Sequence, residues 1–278
     1  MKHVIKTTLT ALLLCLPTVA QTLTLPHIVD GAGWLSTIVL TNTSANAASA
    51  TLVFHQETGG GNTGPWTPQF QEVVSTSGLS LVGGSTMFLH TTGTADTLTQ
   101  GWAELNADPS IIGYVVFTIR VAGRQDQEGT APAVAASNRI LMPYADANGF
   151  VSGIAVVNIS GQPESISVGF RTTTGGVALG TLPTVPPGGH MSFALAQQFP
   201  VIAGHDGLAE FFSSTGAFSL IALRFNPTSS FTAAPAYSQT GAPIIAASMD
   251  PNPDPGPNPY PYAYFPPNPS TRPAGANH

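Results

Sequence analysis

Two stretches of this 278-residue chain run in parallel at a fixed offset. LPHIVDGAGWLSTIVLTNTSANAASATLVFHQETG starts at Leu25, and LMPYADANGFVSGIAVVNISGQPESISVGFRTTTG starts at Leu141. In that alignment Asp30 matches Asp146, Gly33 matches Gly149, Ser36 matches Ser152, Asn42 matches Asn158 and Phe54 matches Phe170. Later segments correspond as well. LVGGSTMF (Leu81–Phe88) parallels VPPGGHMSF (Val185–Phe193), GWAEL at Gly101 parallels GLAEF at Gly207, and VVFTIR ending at Arg120 parallels LIALRF around Arg224. Similarity in one order over about 100 residues predicts two copies of one domain, not a solenoid of short units.

Each copy reads as β. Ile38 and Leu40 alternate with Thr37, Val39 and Thr41, and Leu52 and Phe54 alternate with Thr51, Val53 and His55. Period-2 alternation of β-branched and apolar residues marks half-buried strands. Further strands are predicted at 73–77, 86–91, 97–106 and 111–121, separated by Gly, Ser, Asn and Pro. No segment carries a sustained helical stripe. Short strands at this spacing predict an all-β chain of two tandem β-sandwiches, residues 21–137 and 138–247, with about seven or eight strands each. Ile38, Leu40, Leu52, Phe54, Phe117 and Ile119 are expected inside the first, and Ile154, Val156, Val168, Phe170, Ile221 and Leu223 inside the second. Gly153, Ala155 and Val157 replace Thr37, Val39 and Thr41, which predicts a smaller, drier face that the other copy covers. The connecting stretch 126–138 is expected to add a strand through APAVAA.

STIVLTNTSANAASATLVF followed by LSLVGGSTMFL resembles bacterial immunoglobulin-like surface modules. The chain as a whole is similar to uncharacterised secreted bacterial proteins with two tandem immunoglobulin-like β-sandwich domains. The resemblance spans roughly residues 25–245 and rests on core and turn residues. It implies a β-sandwich and an extracellular setting, and it carries no active site to any position here.

The ends of the chain differ from the middle. Residues 1–20 combine a short basic start (Lys2, Lys6) with an apolar, Thr-rich run ending TVA, the pattern of a secretory signal peptide cleaved before Gln21. The alternative is a buried N-terminal strand or helix. Leu14 before Cys15 argues against lipid anchoring. Cleavage would remove the single Cys and both Lys, so six Arg against 14 acids would leave a formal charge of −8. Such a chain has no basic patch for nucleic acid, no Cys-based metal site, and no apolar run for a membrane span. The expected location is secreted, extracellular or cell-surface, with the periplasm as an alternative. Residues 248–278 are rich in Pro and Tyr and predict a flexible tail outside any sheet interior. Its aromatic cluster, Tyr260, Tyr262, Tyr264 and Phe265, is the candidate partner contact.

Chemistry-bearing patterns are sparse. His27, His55, His90, His190 and His205 show no metal-ligand spacing, and His27 and His55 are not repeated in the second copy. G-x-S-x-G and phosphate-loop patterns are missing. The best polar constellation is Glu104 with Arg120 and, in the second copy, Glu210 with Arg224, expected to meet across neighbouring strands as exposed structural pairs. Asp30 and Asp146 are expected to bond their own turn backbone. No catalytic, cofactor-binding or metal-binding residue is assigned. The expected role is a non-enzymatic structural or adhesive protein that self-associates or contacts cell-wall polysaccharide. The first alternative is an extracellular carbohydrate-binding module using Trp34, Trp66 or Trp102. The second is a secreted hydrolase.

Overall fold

The computed structural model of the protein describes residues 20–72, 75–228, 230–247 and 263–264. Residues 1–19 of the expected signal segment 1–20 lie outside them, as do Val73, Val74, Tyr260, Tyr262 and Phe265. The first half holds β1 (Gln21–Asp30), β2 (Trp34–Asn42), β3 (Ala48–Gly59), β4 (Asn62–Trp66), β5 (Leu79–Leu81), β6 (Thr86–His90), β7 (Thr99–Ala107), β8 (Ile111–Ile119) and β9 (Gln127–Pro132). The second holds β10 (Arg139–Ala145), β11 (Val151–Asn158), β12 (Ser167–Thr172), β13 (Val177–Thr181), β14 (His190–Ala194), α1 (Leu195–Gln198), β15 (Asp206–Phe212), β16 (Phe218–Phe225), β17 (Phe231–Ala234) and β18 (Tyr237–Ser238). A short helix α2 (Ile244–Ala247) and β19 (Ala263–Tyr264) follow.

The protein is all-β, in four antiparallel sheets. Strand order is β1-β7-β3-β4 and β6-β2-β8-β9 in the first half. It is β10-β15-β12-β13 and β14-β11-β16-β17 in the second, with β18 added at β10 and β19 at β13. Strands at matching places occupy matching positions. The connecting stretch supplies β9, which pairs with β8. Residues 75–77, expected in a strand, form a bend.

Alternation places the inward residues. Ile38, Leu40, Leu52, Phe54 and Phe117 are buried in the first core, with Ile119 partly buried at its margin. Ile154, Val156, Val168 and Phe170 are buried in the second. β16 corrects the expectation for Ile221 and Leu223. Both are buried, but they join the first half's cluster, while Phe218, Leu220 and Ala222 fill the second core. Six consecutive residues of this strand, Phe218 to Leu223, are buried, so alternation gives no sign of which face is which.

The outer face of the β14-β11-β16-β17 sheet is therefore a joint. Ala155, Ile221, Leu223 and Phe231 pack into the first half's cluster. Trp34 tilts over Phe231 with ring centroids 5.5 Å apart. Gly129 on β9 lies under the same ring, where a Cβ would collide with it.

Candidate functional site

The polar residues that recur between the halves hold backbone. Asn42, fully buried, donates from Nδ2 to the carbonyls of Asn46 (2.7 Å), Leu81 (3.1 Å) and Val82 (3.3 Å). Asn158 does the same to Gln162 (2.7 Å), Val185 (2.9 Å) and Pro186 (3.0 Å). The Ser36 hydroxyl bonds both N–H and C=O of Val29, and the Ser152 hydroxyl bonds both groups of Ala145. Asp30 accepts the N–H of Gly93 and Asp146 accepts that of Gly204, each at 2.8 Å. The two aspartates thus tie down the loop leading to β7 or β15, rather than their own turn as the sequence predicts.

The Glu/Arg pairs are corrected. β7 and β8 follow one another in the chain but lie in different sheets, so Glu104 and Arg120 do not meet. Glu104 accepts a bond from Asn106, and Arg120 is an exposed partner of Asp126. Glu210 is buried and bonded to Arg139 at 2.7 Å, and it also accepts the N–H groups of Ile244 and Ile245. Arg224 lies over the Phe150 ring, 3.7 Å from its centroid. The ladder shows why the second pair was misplaced. Asn42 pairs with Ile111 and Asn158 with Phe218, which makes Arg224 the counterpart of Phe117, not of Arg120.

Beside Glu210, a groove of about 530 Å³ runs over the outer face of β12 and β13, lined by Gly169, Leu179, Thr181, Phe212 and Pro243. Of the tail's aromatic cluster only Tyr264 is described. With Ala263 it pairs with Val177 and Ala178 at the edge of β13, so this part of the tail joins a sheet edge.

A polar cluster spans the joint. The His190 Nδ1 lies 2.9 Å from Glu57 Oε2, and its Nε2 lies 3.3 Å from His27 Nδ1. Gln100 donates to the same Glu57 oxygen at 3.0 Å. Thr63 Oγ1 and Trp102 Nε1 both donate to the Gly188 carbonyl, and the His190 N–H donates to the Gly61 carbonyl. With both imidazoles neutral one arrangement satisfies the chain: His190 donates to Glu57 from Nδ1 and accepts from His27 at Nε2. Burial, with the nearby His190, holds His27 far below the usual imidazole range, at about 3. The His27 ring lines a cavity of about 280 Å³ with Ile154, Ala155, Ser192, Ile221 and Leu223.

The sequence offers no metal-ligand spacing for His27 or His190, and the repeat does not keep His27. Their non-recurrence is the signal that was available: the joint exists once, so its residues differ from their counterparts. His27 matches Pro143, and Glu57 matches Thr173. The tryptophans offered as a sugar platform are packed instead. Trp102 is buried against His55, with centroids 4.2 Å apart, and Trp66 meets the edge of Phe54. Among the described residues no three His, Cys, Asp or Glu side chains are grouped as metal ligands. Among the same residues no helix is long and apolar enough to cross a membrane. No family model, curated protein or solved structure matches the chain.

Proposed function

We infer that this is a non-enzymatic structural or adhesive protein of the cell exterior, released through the N-terminal segment. It is built from two immunoglobulin-like sandwiches that arose by internal duplication, and it self-associates or contacts cell-wall material. One observation carries the reading. Three polar pairs common to both halves, Asp30/Asp146, Ser36/Ser152 and Asn42/Asn158, hold backbone in the same way. The duplicated unit is thus organised around holding its turns. Low charge supports association, since only 8% of residues are Asp, Glu, Lys or Arg and neighbouring copies repel weakly.

The test uses residues 21–278. Sedimentation across a wide concentration range, together with pull-down on cell-wall material, should show reversible association, retention on the wall, or both. A strictly monomeric chain that the wall does not retain would overturn the reading. A saturable change in Trp fluorescence with a soluble polysaccharide would favour the carbohydrate-binding alternative.

A further inference from the structure

The two halves treat one sheet face in opposite ways. On the second half, the outer face of β14-β11-β16-β17 is covered by the first half through Ala155, Ile221 and Leu223. The matching face of the first half is β6-β2-β8-β9, and nothing in the described chain covers it. The ladder gives its rows. Thr86, Thr41 and Ile112 form one, Phe88, Val39, Tyr114 and Pro132 the next, and His90, Thr37, Val116 and Thr130 the third. Phe88 is 50% exposed, Ile112 57% and Tyr114 39%, whereas Val39 between the two aromatics is 2% exposed. At the matching places the covered face carries Ser192 for Phe88, Ala155 for Val39 and Ile221 for Tyr114.

We propose that the β6-β2-β8-β9 face is the surface through which two copies of this chain pair, face to face across a two-fold axis. The inference rests on the self-association part of the reading above and names its site. Three features single out a second copy as the occupant. The same face of the same sheet order already serves as an interface in the other half. The ionisable groups beside these rows lie on the edge strands, His90 with Glu72 at β6 and Glu128, bonded to Thr118, on β9, so the centre of the face meets an identical surface without like-charge repulsion. The size also fits. Four strands about 4.8 Å apart and up to nine residues long, at about 3.3 Å each, give on the order of 500 Å² per copy. The pair would bury about 1,000 Å², the lower end of specific interfaces, where pairing is reversible and set by concentration. Phe88 and Tyr114 are the anchors, since large aromatics at the centre of a patch carry most of the binding.

The experiment is sedimentation of residues 21–278 as wild type, Phe88→Glu, and Val53→Glu, which places the same charge on an exposed site of the other sheet. Thermal melts confirm that each variant is folded. A second arm uses the absence of Cys beyond Cys15: Tyr114→Cys should form disulfide-linked dimers on oxidation, and Val53→Cys should not. We expect Phe88→Glu to weaken association at least tenfold and Val53→Glu to leave it unchanged. If Phe88→Glu associates like wild type, the face is wrong although self-association stands. If wild type is monomeric yet held by wall material, the pairing falls and the adhesive reading survives. Loss of polysaccharide binding in Phe88→Glu, with no dimer at any concentration, would make the face a sugar platform and overturn the proposal.

Discussion

Single side chains close the turns of both halves. Asn42 and Asn158 are fully buried, and each ties three turn carbonyls together. Other donors also reach most of these carbonyls, so losing the amide removes bonds worth about 0.5–1.5 kcal/mol each without stranding every acceptor. Replacing Asn158 by Ala should therefore lower stability by about 1–3 kcal/mol, and Asn42→Ala by a similar amount. Urea unfolding checks this, and a loss below about 0.5 kcal/mol would refute it. That these residues matter was legible, because they recur at one spacing. What they bond was not, since their partners lie on loops joined only by folding, as the Asp30 bond to Gly93 shows.

At the scale of strands, β7 and β15 are the central members of their sheets, and each begins its close approach at a glycine. A Cβ on Gly101 would overlap the carbonyl of His55, and one on Gly207 that of Arg171. The strands pass too near for any side chain at these points. Gly207→Ala should cost at least about 1–3 kcal/mol through forced backbone movement, while Gly161→Ala, open on all sides, should stay within about 0.5 kcal/mol. Comparing the two melts decides it. Strand positions were largely readable from alternation, as β2 and β3 show. Their assignment to sheets was not, because the chain crosses between sheets after β7, which separated Glu104 from Arg120.

At the scale of the molecule, the two halves share apolar packing and polar contacts that include the chain Glu57–His190–His27. His27 ties stability to pH. An unfolded imidazole takes its proton as pH falls through about 6.5, whereas the folded one waits until about 3. Between these values the unfolded chain binds more protons, so the contribution of His27 is complete above 6.5 and is lost as pH falls toward 3. The slope reaches about 1.4 kcal/mol per pH unit at most. Urea midpoints at pH 7 and pH 5 should differ less in His27→Gln than in wild type, and equal differences would show that His27 is not the source.

The sequence alone determined the parallel between the two stretches, the all-β class and most inward residues, because alternation and fixed-offset identity can be read from the order of residues without any contact between them. Tertiary structure decided which way β16 faces, which arginine Glu210 meets and where the unmatched histidines gather. The reason is physical. A strand apolar on both sides is equally content in either orientation until a second surface covers one of them. Here that surface is the other half of the molecule, more than 100 residues away, and it claims Ile221 and Leu223 for its own core.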